Sequence, residues 1–306
     1  MRQQALQKIY SLARLDSRVI FVGSDLGYGT LKAMREELPN QFVMEGISEQ
    51  YIVGFVAGLA KEGYIPYVNT IANFFTRRAF EQMAMDVALH SLPVRFLATG
   101  GGMVYAPLGP THTAVDDLSL MWCIPNMRVF CPADPSEMTG ILELSIKQID
   151  SPWYIRIGKG DEANLNFSNP CSSVKKQGNP NARVLVLTTG VLVHEVKKFI
   201  EMLSEENQIQ VGVIHFLRID QIDYFSFSRE YEAAEIVYLL EEHFPFGGLF
   251  SRILHSLHSN GISSSKLHQR SLAYEYPYKY GNQQDHFKAN GLDYQSLLLE
   301  IGDKLV

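Results

Sequence analysis

Residues 42–61 read FVMEGISEQYIVGFVAGLAK. A short strand candidate, Phe42–Met44, breaks at Gly46 and gives way to a segment with small and apolar side chains all round a helix, Gln50–Lys61. A helix without a polar face belongs inside a protein rather than on its surface. Strand, turn and buried helix in that order make a β–loop–α unit of a parallel sheet, because parallel strands require a crossover. Glu49 then stands near the start of the helix, at the carboxyl edge of the sheet, where ligands gather in open α/β folds. Two readings of this carboxylate are open. It can serve as a general acid–base or a binding group, or it can simply complement the helix dipole from the first turn.

The same alternation extends both ways. A helix at Gln3–Leu15 precedes a strand at Val19–Gly23, and further strands are expected at Ile65–Asn69, Val94–Thr99, Met127–Cys131 and Trp153–Ile157. Helices fall between them at Thr76–His90 and Pro135–Ile149, with a shorter one at Asp116–Met121. The stretch that follows is rich in Asn, Ser, Gly and Pro and has few strong apolar positions, which marks a linker. The alternation then restarts with strands at Arg183–Thr188, Ile209–Ile214 and Ile236–Leu240 and helices at Leu192–Glu205, Gly247–Ser259 and Leu292–Leu305. The expectation is an α/β protein of two domains, 1–165 and 181–306, joined by a linker at 166–180. Each domain should hold a mainly parallel sheet with helices on both faces.

Composition agrees with two domains: 306 residues at roughly 150 per domain. Lys and Arg number 27 against 33 Asp and Glu, a net charge of −6. A generic nucleic-acid binder would carry a basic excess, so that class is excluded, and an anionic membrane surface is a poor partner for the same reason. The three cysteines, Cys123, Cys131 and Cys171, have an odd count and no metal-type spacing, so a reduced, cytoplasmic setting is expected. The N-terminal segment reads as an amphipathic helix without a signal-peptide core, and no apolar stretch approaches the ~20 residues that span a bilayer.

Familiar phosphate-binding patterns are missing. No G-x-x-x-x-G-K-[ST] occurs, and Gly23-Ser24-Asp25-Leu26-Gly27 lacks the spacing of G-x-G-x-x-G. Gly100-Gly101-Gly102 follows a strand and lets backbone approach a ligand closely. In Asn73-Phe74-Phe75-Thr76-Arg77-Arg78, the rings suit stacking on a flat group and the arginines suit an anion. A core Phe pair beside surface arginines would read the same way. Leu108-Gly109-Pro110-Thr111-His112 sits in a turn-rich loop, where His112 suits a proton carrier or substrate donor.

Order and spacing join these fragments. E-G-I-S-E-Q (45–50), A-N-F-F-T-R-R-A-F-E-Q (72–82), G-P-T-H-T-A-V-D-D-L (109–118), I-P-N-M-R-V-F-C-P-A-D (124–134) and P-W-Y-I-R-I-G-K-G (152–160) follow one another, with E-E-H-F-P-F-G-G-L at 241–249. Together they closely resemble the C-terminal half of the thiamine-diphosphate transketolase family: its pyrimidine-binding domain followed by its C-terminal domain. The resemblance covers nearly the whole chain.

It implies a thiamine-diphosphate enzyme that moves a two-carbon ketol unit, or a related acyl unit, to an aldehyde or sugar acceptor. Glu49 matches the family's catalytic glutamate, which hydrogen-bonds the cofactor's aminopyrimidine. A carboxyl group in a dry site can share a proton with a ring nitrogen. Phe75, with Phe74 beside it, matches the aromatic on which the aminopyrimidine stacks, and Asp25 matches an aspartate near the cofactor. His112 matches the histidine that touches the reacting oxygens of the substrate. Arg78 resembles a substrate-phosphate arginine, Arg156 and Lys159 fall on the family's Y-x-R-x-x-R pattern, and Arg2 stands where another phosphate-binding arginine is expected. Lys159 replaces an arginine there, which keeps the charge and loses the bidentate fork. Leu108 replaces the aspartate of the common D-G-P-T-H, and a further family histidine falls on the Gly100–Gly102 run. Both departures put the usual sugar-phosphate substrate in doubt.

The family's G-D-G…N run, which binds Mg2+ and through it the diphosphate, has no match in the chain. The resemblance therefore implies the C-terminal subunit of a split enzyme, paired as α2β2 with an N-terminal subunit that carries that site, and no metal site of its own. Two other readings share parts of the pattern: the β subunit of a 2-oxo acid dehydrogenase or decarboxylase, and a non-catalytic regulatory subunit. G-P-T-H and I-P-N-M-R-V favour the transketolase branch, and joint retention of Glu49, Phe75 and His112 weighs against a non-catalytic role.

Overall fold

A computed structural model of the chain describes residues 1–158, 160, 162–165, 167, 169, 171–278 and 280–305. The chain divides into two compact units, residues 1–101 with 120–171 and residues 102–119 with 172–306. The first is built on six strands: β1 (Val19–Gly23), β2 (Phe42–Met44), β3 (Ile65–Ile71), β4 (Arg95–Thr99), β5 (Arg128–Phe130) and β6 (Trp153–Ile157). They pair in the order β2-β1-β3-β4-β6-β5, every pairing parallel. All residues of β1, β4 and β6 are buried, as continuous apolar runs require in a sheet covered on both faces. The register sets Gly23 against Met44 on one side and Asn69 on the other, so β1 and β2 end level and β3 runs two residues further, to Ile71. The residues after those ends, from Asp25, Glu49 and Phe74 onwards, share one edge as a consequence.

Arg95 is a structural surprise in this unit. It is 0% exposed at the amino end of β4, an interior strand of the sheet. Its guanidinium donates to the carbonyls of Ser145 (2.7 Å), Gln148 (2.6 Å) and Ser151 (2.7 Å), so it caps the carboxyl end of helix Pro135–Ser145. Burial pushes its pKa down to about 10, which still leaves it charged at neutral pH. Arg95→Met keeps the bulk and removes the donors. Each buried carbonyl left without a partner costs about 1–3 kcal/mol, so a drop in Tm of about 10 °C is expected by calorimetry. A shift within about 2 °C would show that the cap carries little of the stability.

The second unit holds β7 (Val174–Gly178), β8 (Val184–Thr188), β9 (Val211–Phe216), β10 (Ile236–Leu240) and β11 (Leu267–Arg270), in the order β11-β10-β8-β9-β7. Only β7 runs antiparallel, against β9. Val184, Val186, Phe199, Val213, Leu240 and Ile301 form its core, with Met103 and Val115 from the 102–119 segment packed among them. Phe244 N donates to Val115 O (2.8 Å), and the buried Glu242 accepts from Met103 N (2.7 Å), which ties that segment to the sheet.

Three features differ from the sequence expectation. β7 lies within the stretch read as linker, because an exposed edge strand of sequence VKKQG has no apolar alternation to betray it. β11 (LHQR) escapes notice for the same reason. Residues 76–90, expected as one regular helix, contain two widened, π-helical stretches, Phe74–Arg78 and Met83–Ala88. Such bulges concentrate at functional sites. Among the described residues, no helix is long and apolar enough to cross a membrane.

Candidate active site

Glu49 is the first residue of helix Glu49–Lys61 and is 3% exposed. Its Oε2 accepts from Arg78 Nη1 at 3.1 Å, and its Oε1 lies 3.5 Å from Thr70 Oγ1, a long hydrogen bond. Thr70 stands near the end of β3 beside Asn69, two polar residues in an otherwise apolar strand. The Ser24 hydroxyl, after β1, lies 2.7 Å from Thr70 Oγ1 and 3.0 Å from Asp25 Oδ1 and can donate to either. A polar chain therefore runs from the exposed Asp25 through Ser24 and Thr70 to the buried carboxylate.

Arg78 closes the other side. Its guanidinium lies 3.8 Å from the centroid of the Phe74 ring while pairing with Glu49, and its side chain is half-exposed. The resemblance assigns this arginine to a substrate phosphate; in this structure it pairs with the carboxylate. Phe75 is 0% exposed and meets Phe96 edge-on, ring centroids 5.3 Å apart, so it belongs to the core here. Phe74 is only partly buried. Glu49, Thr70, Arg78, Phe74 and Asp25 are thus brought together at one sheet edge.

Arg156, Arg2, His112 and Leu108 are held by other elements. Arg156 is in β6, 6% exposed, with its stem laid across Gly101. A Cβ on Gly101 would stand 2.6 Å from Arg156 Nε, so the glycine run makes room for the arginine. Arg2 opens helix Arg2–Leu15, alongside Gly160, where the Met1 ammonium pairs with Glu162 at 2.9 Å. Lys159 lies outside the described residues. His112 and Leu108 belong to the second unit, in a loop closed by the Gly102–Ala114 bridge. His112 Nδ1 is 2.9 Å from Thr111 Oγ1, and Leu108 is 54% exposed. Ser24 and Thr70 were missed in the sequence; the polar Asn69-Thr70 pair at a strand's carboxyl end was the available signal.

Chemically, a buried carboxylate with one donor on each oxygen, beside an accessible ring, can hydrogen-bond a flat amino-heteroaromatic and exchange a proton with it. In the second unit, burial lifts the carboxyl pKa of Glu241, to which Gln269 Nε2 donates at 2.8 Å. Among the described residues, no group of three or more His, Cys, Asp or Glu is placed to hold a metal ion.

The family model for "Transketolase, pyrimidine binding domain" matches residues 1–162, and that for "Transketolase, C-terminal domain" matches residues 174–296. The chain is 29% identical over 265 residues to a subunit of the apulose-4-phosphate transketolase of Phocaeicola vulgatus, covering 85% of this chain and 84% of that one. It is 32% identical over 260 residues to a 1-deoxy-D-xylulose-5-phosphate synthase of Cyanothece sp., covering 82% of this chain and 40% of the synthase. It therefore spans less than half the length of that synthase. A solved structure described as "Split gene transketolase, inactive beta4 tetramer" aligns with TM-score 0.84 at 25% identity, over 99% of this chain and 97% of the other. A Pichia stipitis transketolase shares the fold, with TM-score 0.77 at 17% identity over 99% of this chain and 45% of its own.

Proposed function

Since the chain belongs to the transketolase family, we propose that it is the C-terminal subunit of a split, thiamine-diphosphate-dependent transferase. The enzyme moves a two-carbon ketol unit, or a related acyl unit, to an aldehyde or sugar acceptor. The observation that carries this reading is Glu49: a 3%-exposed carboxylate at the carboxyl edge of a parallel sheet, held by Thr70 and Arg78 beside Phe74. The split form is supported by the Phocaeicola vulgatus relative and the split-gene structure, both matched over most of their length.

The pyrimidine half of the cofactor fits these residues. Glu49 would hydrogen-bond the aminopyrimidine and exchange a proton at its ring nitrogen, while Phe74 would supply the aromatic wall, with Phe75 packed in the core behind it and Asp25 flanking the site. Arg78, paired with Glu49, would supply a cation for the anionic end of the substrate, with Arg156, Arg2 and Lys159 as further cations. His112 contacts the reacting oxygens, and Leu108 borders the acceptor. When bound, the cofactor supplies the electron sink that stabilises the transferred unit. The Mg2+ and diphosphate ligands belong to an N-terminal partner chain in an α2β2 assembly. We place the enzyme in the cytoplasm, as an odd number of cysteines without metal-type spacing suggests.

Mixing the chain with its N-terminal partner and a ketose donor tests this reading: transfer to an aldehyde acceptor is expected. Absence of transfer from any ketose in a properly assembled complex would overturn it. Turnover of a 2-oxo acid alone would point to the dehydrogenase branch instead.

Leu108 shapes the expected substrate. Leucine neither donates nor accepts a hydrogen bond, so a sugar hydroxyl buried against it goes unpaired at a cost of about 1–3 kcal/mol, or about 5- to 150-fold in kcat/KM. A deoxygenated, epimeric or otherwise modified acceptor is therefore expected over an ordinary pentose phosphate. Leu108→Asp should improve kcat/KM for ribose 5-phosphate as acceptor by a factor in that range. No gain, in an enzyme already fast on that sugar, would remove Leu108 from specificity.

A further inference from the structure

Short-range backbone hydrogen bonds run along the loop that carries Leu108 and His112. Gly102 and Ala114 exchange backbone hydrogen bonds at its base (2.8 and 3.0 Å). Towards the tip, Leu108 N donates to Tyr105 O (2.8 Å), Gly109 N to Ala106 O (2.9 Å) and His112 N to Gly109 O (3.0 Å). Gly109 has φ +82°, a conformation that favours glycine. It is buried although Pro107 and Leu108 beside it are exposed.

What covers it is Tyr280. A Cβ on Gly109 would stand 2.9 Å from Tyr280 Cε1 and 3.1 Å from the phenol oxygen. Tyr280 closes a segment, 274–280, in which every second residue is tyrosine and Tyr274, Tyr276, Tyr278 and Tyr280 are 61–74% exposed. Tyr276 and Tyr278 also line a cavity of about 400 Å³ with Met103 and Val115, which come from the two legs of the same loop. The segment thus reaches both the base and the tip of the loop. A ring that is 72% exposed removes little apolar surface from water, so its contribution to folding is small. Its contact is with the one glycine that joins Leu108 to the Pro110–His112 turn.

We propose that Tyr280 is a positioning residue that fixes the Leu108–His112 loop and, with Leu108, presents an aromatic and aliphatic edge to the acceptor. The acceptor class this favours is a short aldehyde or sugar with one deoxygenated, apolar face, and the phenol hydroxyl is the polar group at that edge. The specificity part rests on the transferase reading above; the positioning part does not.

The test uses the full chain. Hydrogen–deuterium exchange of the amides at 105–114 should quicken about tenfold in Tyr280→Ala, the factor for one lost aromatic contact, and stay near wild type in Tyr280→Phe. Amides of β8 and β10 serve as the folding control. In the assembled enzyme, Tyr280→Ala should raise the acceptor KM about tenfold, with most of the loss in kcat/KM falling on KM rather than kcat. Wild-type exchange in the loop overturns the positioning role, and an unchanged acceptor KM overturns the specificity role. If the wild-type assembly transfers no two-carbon unit, the transferase reading fails while the exchange data still judge Tyr280. If Tyr280→Ala disturbs β8 and β10, Tyr280→Leu gives the same comparison with the bulk retained.

Discussion

Glu49→Gln folds like the wild type and slows deuterium exchange at the thiazolium carbon of thiamine diphosphate, in the assembled enzyme, by about 10² to 10⁴-fold, the span of general acid–base catalysis. Folding is spared because the amide keeps the volume of the carboxylate. Its oxygen still accepts a hydrogen bond from Arg78 or Thr70, at 3.1 and 3.5 Å in the native chain. The ion pair it removes is partly open to solvent, Arg78 being half-exposed, so its loss moves stability little. The proton is another matter. An amide cannot give or take one at a ring nitrogen, and none of the other carboxylates described at this edge is buried: Asp25 is exposed and separated from Glu49 by two hydroxyls. Exchange at the wild-type rate would mean that another group activates the cofactor.

The isolated chain is expected to bind the cofactor weakly. The diphosphate and its Mg2+ are the strongest charge handles on thiamine diphosphate, and Mg2+ is commonly held through one or two carboxylates together with phosphate oxygens. Among the described residues, no cluster of carboxylates, histidines or cysteines is placed for a metal ion. Glu49 is in addition occupied by Arg78. What remains is one aromatic ring and a few hydrogen bonds, too little for the roughly 8 kcal/mol that micromolar binding represents. Titration calorimetry with Mg2+ and cofactor should show no micromolar site until the partner is added, and a micromolar site without it would place the diphosphate ligands on this chain.

Most of the sheet was legible because buried parallel strands are runs of β-branched and other apolar residues, as VIFVG and RVLVLT make plain. β7 and β11 were not, since an exposed edge strand needs no apolar alternation. Glu49 could be placed at the start of a helix from the sequence of residues 42–61 alone, although that helix, expected to be buried all round, leaves Tyr51, Gly54 and Gly58 exposed on one face. Its partners could not: Thr70 and Arg78 lie 21 and 29 residues away, and only the crossover between strands brings them together. The F-F-T-R-R run showed which residue types stand there but not which ring is inside, because the π-helical turn sets that Phe75 faces Phe96 while Phe74 carries Arg78. Tyr280 ends a stretch whose alternating tyrosines have the period of a strand, although its described residues form none, so nothing local linked it to Gly109.

The central claim is that this chain and a separate N-terminal chain complete one cofactor site, and deuterium exchange at the thiazolium carbon tests it most directly. Three samples with Mg2+ and thiamine diphosphate suffice: this chain, its partner, and the two together. The mixture is predicted to exchange at least about 10²-fold faster than either chain alone. A mixture no faster than the partner by itself, or this chain alone matching the mixture, would contradict the claim.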